Sequence, residues 1–333
     1  MENLADAFLR LDRKEIALLK AVERGMRTSE WASMEDVVAR ARLSPKAAAS
    51  GLARLVGKKL VSRTTEPYEG YQIGFVAYDL VALSDLVARD VVLSLGDLLG
   101  VGKESVVFEA LGRIPPGADE QAAPPEGEET ELVPLAVKFH RQGRTSFKHV
   151  RRAREHLADH PRCAWIHAAR LGAAREWRTL KALHPEVRVP RPVALSHHAL
   201  VMEHAGGTEL YRVVLEEPEP FLELILEEVA SAWRRGFVHA DLSAYNVLVG
   251  EEGEVVIIDW PQAVSRRDPR ARELLERDVK NLLDHFARKY RLDLSLEAAL
   301  SSAAADLGPG EEGGKEAGDE EVDVSTTNGA AEG

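Results

Sequence analysis

Apolar residues recur at helical spacing near the start of the chain and at strand spacing soon after. Ile16, Leu18, Leu19 and Val22 fall on one face of a helix. Ser33 predicts an N-cap for a second helix with Val37, Val38 and Ala41 turned inward. Ser44-Pro45 predicts the start of a third, because proline is tolerated in a first helical turn. That helix carries Leu52, Leu55 and Val56 inward and is expected to end near Gly57. Leu60–Arg63 and Gly70–Phe75 then read as a short hairpin. The pattern predicts a winged helix-turn-helix over residues 1–76. A helix over 77–92 follows, and its Val81, Leu83, Leu86 and Val87 predict a packed connector rather than a loose linker.

From about Leu93 the pattern becomes that of a mixed α+β domain. A hairpin around Leu99–Phe108, a strand at Leu135–Phe139 and a helix through Ala173–Leu180 predict an upper lobe over 93–204. A lower lobe over 205–302 is predicted from helices at Phe221–Gly236 and Leu274–Tyr290. Residues 114–131 are rich in proline, glycine and acid, and residues 303–333 are acidic and glycine-rich. Neither stretch has the apolar content to form a core, so both are expected to be disordered.

Within this frame, polar residues stand out against apolar runs. His239-Ala240-Asp241-Leu242-Ser243-Ala244-Tyr245-Asn246 places an acid and an amide five residues apart, and Asp259 ends the run Ile257-Ile258. Phosphoryl transfer needs a group that positions the nucleophile and hard oxygen ligands for magnesium. Asp241 suits the first role, and Asn246 and Asp259 suit the second. Lys138 interrupts the apolar strand Leu135-Ala136-Val137-Lys138-Phe139 and requires a buried anion, either carboxylate or phosphate. Glu176 is the candidate carboxylate. Gly100-Val101-Gly102-Lys103-Glu104-Ser105 predicts a tight hairpin turn whose backbone approaches phosphate oxygens. The competing reading of these residues is a turn, a snorkelling lysine and a solvated glutamate.

Taken together in this order, the segments resemble the RIO family of atypical serine/threonine protein kinases, in its winged-helix-bearing subfamily of archaeal type. Gly102-Lys103-Glu104-Ser105 is similar to the family's phosphate loop, His239–Asn246 to its catalytic loop and Ile258-Asp259-Trp260-Pro261-Gln262 to its metal segment. Gly143–Phe147 and Glu276–Asn281 match further family segments. The resemblance implies ATP with magnesium or manganese as cofactors. It puts Met202 at the back of an adenine pocket, with the backbone of Glu203 and Ala205 along the adenine edge. It also implies autophosphorylation in a basic segment where Thr145 and Ser146 are the candidates. An aspartyl-phosphate on Asp259 is implied as well, and whether that residue ligates metal, attacks phosphorus or does both in turn stays open. Asp278 is a candidate brace for the catalytic loop.

Between Ala263 and Leu274 there is room for only a short connection, and no A-P-E sequence follows. An activation loop and a peptide-docking platform are therefore expected to be missing.

Composition changes this picture in two ways. Cys163 is the only cysteine of the 333 residues, which excludes an internal disulfide and a cysteine-rich zinc site. Apolar runs too short to span a bilayer, and an N-terminus without a secretory pattern, predict a soluble cytoplasmic protein with no membrane partner.

The net charge of −12 is unevenly spread. No acid occurs from Val37 to Thr65, while Lys46, Arg54, Lys58, Lys59 and Arg63 all fall there. Such a window predicts phosphate-backbone contact, and the resemblance makes the partner pre-ribosomal RNA of the small subunit. A solvated face or a protein-docking surface is the alternative. For the whole chain the leading expectation is an ATP-dependent autokinase and ATPase in small-subunit maturation. A catalytically silent ATP-binding module, a small-molecule phosphotransferase and a DNA-reading transcription factor are the competitors.

Overall fold

The computed structural model describes residues 4–115, 131–141, 164–292 and 294–303. Most of the 114–131 insert, nearly all of the 303–333 tail, and both Thr145 and Ser146 lie outside the described residues.

Helices α1 (Leu4–Leu9) and α2 (Arg13–Gly25) open the fold. Asp12 starts α2 with a reciprocal cap: its carboxylate accepts from the Glu15 amide at 2.8 Å, and the Glu15 carboxylate accepts from the Asp12 amide at 3.1 Å. A two-residue strand β1 (Ala32–Ser33) leads into α3 (Met34–Ala41), with Ser33 accepting from Asp36 N at 3.1 Å. Ser44 caps α4 (Pro45–Gly57) through Ala47 N at 3.3 Å. The wing is β2 (Val61–Thr64) paired antiparallel with β3 (Gly70–Ile73), and β1 adds a third strand.

The next helix departs from the sequence expectation. The wing strand stops at Ile73 rather than Phe75, and α5 spans Phe75–Ala88 rather than 77–92. Asp90 takes a left-handed conformation (φ 54°), and the apolar Val91 and Val92 pass into a strand. Most of α5 is buried.

That strand, β4 (Val92–Val101), begins a five-stranded antiparallel sheet with β5 (Ser105–Gly112) and β6 (Val133–His140). Helix α6 (Ala164–Leu183) precedes β7 (Pro192–Ser196) and β8 (Ala199–Glu203), and the strand order is β4-β5-β6-β8-β7. Side chains alternate along β6. Leu135, Val137 and Phe139 join one apolar cluster with Leu18, Leu55, Val81 and Leu86 of the N-terminal helices. Ala136 faces the other way, into a cluster with Met202, Leu210, Ile257 and Trp260. Lys138, two residues after Ala136, is carried to that second face. The winged helix and the upper sheet thus share one core, and the lysine lies on the opposite side.

The lower lobe contains β9 (Thr208–Glu209), α7 (Pro218–Arg234), β10 (Phe237–Val238) and the hairpin β11 (Val247–Val249) with β12 (Val255–Ile257). Strand β13 (Val264–Ser265) pairs with β10, and α8 (Ala271–Tyr290) and α9 (Leu296–Ala303) follow. Only a short connection separates β13 from α8. Among the described residues no helix is long and apolar enough to cross a membrane.

Candidate active site

Strand β6 delivers Lys138 into the cleft, where its Nζ lies 2.6 Å from Glu176 Oε1 on α6 and 2.5 Å from Asp259 Oδ1. The lysine and glutamate side chains are 4% and 1% exposed, while that of Asp259 is 43% exposed. Burial alone would drive Glu176 toward its neutral form. The Lys138 charge and the contact with His140 Nε2, 2.9 Å from Oε2, outweigh it and hold Glu176 at about 2. Burial likewise works against the Lys138 ammonium, yet the two carboxylates keep its pKa above the ordinary lysine value. Glu176 Oε1 also accepts from Trp260 N at 3.0 Å, which fixes the backbone next to Asp259. Asp259 itself has φ 69°, a left-handed conformation uncommon for non-glycine residues, though aspartate adopts it more readily than most.

Across the cleft, the catalytic-loop segment hangs from α8. Asp278 accepts from Ala240 N at 2.7 Å and from Leu242 N at 3.1 Å, bracketing Asp241 from both sides. Burial pushes Asp278 above the ordinary carboxylate range against the pull of His239 and these amides. Arg277 donates to the Ala240 carbonyl and Asn281 to the Leu242 carbonyl, the latter at 3.1 Å. Ala240 is left-handed at φ 64°. His239 Nε2 sits 3.0 Å from the Ile258 carbonyl, and its ring lies 4.6 Å from that of Trp260, which joins this loop to the Asp259 segment.

Asn246 Nδ2 donates to the Asp241 carbonyl at 2.8 Å, so its Oδ1 is turned away and available as a ligand. A side-chain amide oxygen and a half-exposed carboxylate form a hard-oxygen donor set suited to magnesium. Among the described residues no cluster of three histidines, cysteines or acids could hold a metal alone. Phosphate and water oxygens would have to complete such a site.

The phosphate-loop expectation needs refining. Gly100 lies in β4 opposite Val107, and the Gly102 amide closes the hairpin on the Ser105 carbonyl at 2.9 Å. That amide is therefore committed within the turn, whose residues between the two strands are Gly102, Lys103 and Glu104. Gln262 Nε2 donates to Glu104 Oε2 at 3.3 Å, linking the turn to the Asp259 segment.

Met202 is buried on the cleft face of β8. The Glu203 amide is taken by the Arg191 carbonyl at 2.9 Å, so the part of its backbone that could lie along an adenine edge is its carbonyl. Ala205 follows in the short link that turns at Gly206 and Gly207, both at positive φ. Sequence reading missed His140, although the alternation in β6 sets it on the face of Lys138. It also missed the Glu104–Gln262 link, for which 158 residues of separation leave no local signal.

The winged-helix cations are not the free patch that the acid-poor window predicts. Arg54 pairs with Glu15 and Asp12, each at 3.1 Å, and Lys58 with Glu15 at 2.7 Å. Arg63 pairs with Glu69 at 2.8 Å. Lys46 and Lys59 are exposed, and Lys59 is left-handed at φ 58°.

Comparison with known proteins decides the family. Residues 8–89 match the Rio2 N-terminal family and residues 120–299 the RIO domain family. The chain belongs to the RIO family, in its Rio2 branch. The RIO-type serine/threonine-protein kinase Rio2 of Methanocaldococcus jannaschii is 36% identical over 274 residues, spanning 80% of this chain and 94% of that protein. Rio2 of Schizosaccharomyces pombe is 30% identical over 284 residues, with 84% and 78% covered. The solved Rio2 kinase–ADP/Mg2+–phosphoaspartate complex of Chaetomium thermophilum superposes with a TM-score of 0.70 at 27% identity, covering 90% of this chain and 88% of that one. The Rio2 N-terminal match runs through α5, the helix that leads from the wing to the sheet.

Proposed function

We propose that this protein is a cytoplasmic ATP-dependent serine autokinase and ATPase that serves maturation of the small ribosomal subunit. Its nucleotide state would switch its hold on pre-ribosomal RNA. The observation that carries the catalytic half is Lys138 bridging Glu176 and Asp259 in a cleft opposite Asp241. Its Rio2 relatives are named serine/threonine-protein kinases, and one is described with ADP, magnesium and phosphoaspartate.

In this reading Asp241 accepts the proton of an attacking serine hydroxyl, which forms its bond to the γ-phosphorus as the bond to the ADP oxygen breaks. Asn246 Oδ1 and Asp259 hold magnesium, or manganese in its place. Bound there, the metal supplies positive charge against the phosphate oxygens. Lys138 steadies the phosphates, and Lys103, Glu104 and Ser105 cover them. Met202, the Glu203 carbonyl and Ala205 hold adenine. Without a peptide platform, the ATPase route uses the Asp259 carboxylate as nucleophile. Its oxygen bonds the γ-phosphorus, ADP leaves, and water then cleaves the acyl-phosphate to restore the acid. Thr145 and Ser146 are the proposed autophosphorylation residues.

The test is incubation with γ-labelled ATP and magnesium. A hydroxylamine-labile label lost in Asp259→Asn supports the ATPase switch, and an acid-stable label on serine supports the autokinase. No label and no ATP hydrolysis would overturn both.

For the winged helix, RNA contact through Lys46, Arg54, Lys58, Lys59 and Arg63 is one reading. The pairing of Arg54, Lys58 and Arg63 with carboxylates favours a second, in which this face docks on protein.

A further inference from the structure

Asp79 sits in the middle of α5, among Ala77, Leu80, Val81 and Leu83, and is 1% exposed. A carboxylate there is costly unless fully partnered. Its two oxygens have separate partners. Oδ1 lies 2.9 Å from His198 Nε2, at the turn between β7 and β8, and Oδ2 accepts from Arg141 Nη2. Arg141 is the first residue after β6 ends. Its own amide donates to the Glu104 carbonyl at 2.6 Å, so the residue that grips α5 by its side chain grips the β4–β5 turn by its backbone. Glu104 in turn receives Gln262, three positions beyond Asp259. One continuous path of contacts therefore runs from the interior of the winged-helix unit to the turn and then to the Asp259 segment. Lys138 and Glu176 take no part in it.

We propose that Arg141 is a positioning residue for nucleotide binding: anchored on Asp79, it sets the β4–β5 turn over the nucleotide phosphates. The proposal rests on the reading of that turn as the phosphate loop. A charge-assisted hydrogen bond from a half-buried guanidinium to a buried carboxylate is among the stronger single contacts a protein makes. Without it, what holds Arg141 among the described residues is its own amide bond to Glu104 and the strand pairing that ends at His140, and the turn loses its abutment on α5. A purely architectural ion pair would behave differently. Its loss would lower stability and the fraction of active protein without altering the affinity of the protein that remains folded.

The experiment uses the full chain and measures binding of Mg·ADP by calorimetry, alongside KM for ATP and kcat. Arg141→Met keeps the aliphatic stem and removes the charge. Its expected outcome is a KM and an ADP dissociation constant raised about tenfold, with kcat within about twofold of wild type. Arg141→Lys should recover most of the loss. Asp79→Asn, nearly the same shape, should shift KM in the same direction, and the double variant should be no worse than Arg141→Met alone. If Arg141→Met does not fold, Asp79→Asn carries the test. A folded variant of either residue whose KM and dissociation constant equal those of wild type overturns the proposal. A wild type that binds no Mg·ADP overturns the parent reading of the loop, and the proposal with it.

Discussion

Lysines and arginines meet carboxylates at similar distances in two parts of this molecule, and the two sets differ in what surrounds them. In the cleft, Lys138 and Glu176 are nearly inaccessible to water and lie 2.6 Å apart. On the winged helix, Arg54 reaches Glu15 and Asp12 at 3.1 Å while its side chain is 48% exposed. Coulomb attraction at equal range is several-fold stronger where water is excluded, and the penalty for leaving one partner alone grows with it. Burial of the cation as well as the acid therefore separates the two sets, since Glu15 is 2% exposed while Arg54 and Lys58 remain 48% and 33% exposed. The comparison also bears on function. A buried lysine between two acids fits the proposed phosphoryl-transfer site, whereas the proposed RNA contact would draw on cations already paired with acids.

The sharpest way to break this contrast is inside the cleft. Asp241→Ala should lower the rate of phosphoryl transfer by about 10²–10⁴ while ADP binding measured by calorimetry stays near wild type. An unchanged rate would remove Asp241 from the chemistry. Lys138→Met should abolish turnover and cost about 3–5 kcal/mol in urea unfolding, because Glu176 is left buried without its cation.

Acid sensitivity comes next. Glu176 titrates at about 2 in the folded protein against 4.5 ordinarily. Its contribution to stability is therefore fully present above pH 4.5 and drains away as the pH falls through 2. Urea midpoints followed down that range should fall less steeply in Glu176→Gln than in wild type. The smallest effect is expected on the winged helix. Arg54→Ala should cost about 0.5–1.5 kcal/mol, because the buried Glu15 carboxylate keeps Lys58 as a partner at 2.7 Å. Replacing Lys46, Arg54, Lys58 and Lys59 together should flatten the salt dependence of RNA binding if RNA is the partner. An unmoved slope would make the face a protein-docking surface.

How far the fold could be read in advance follows the same division between local and distant causes. The caps at Ser33 and Ser44 are chemistry between residues three apart, and both helices start where these predict. Lys138 is conspicuous because a charge within an apolar strand has few explanations, and Glu176 is indeed its partner. The start of α5 left no such mark: Gly74 precedes it without a side-chain cap, so the helix boundary could not be seen in the residues. The acid-poor window from Val37 to Thr65 hides the partners of its cations for a related reason. The acids that neutralise Arg54 are Asp12 and Glu15, some 40 residues earlier in the chain. The commitment of the Glu203 amide to Arg191 is a backbone bond, which side-chain identity does not encode.

One further consequence follows from the alternation of side chains along β6. Because Leu135, Val137 and Phe139 belong to the same cluster as Leu18, Leu55 and Leu86, no cleavage plane separates the N-terminal unit from the sheet. The two should melt in a single cooperative transition, and the N-terminal unit cannot be exchanged as a cassette. A chain that begins at Val92 would present the odd-numbered face of β6 to water as a contiguous apolar patch, and such patches drive aggregation. Heredity in this architecture therefore acts on the pair: substitutions in α5 and in β6 are constrained together, even though one belongs to the winged helix and the other holds the lysine.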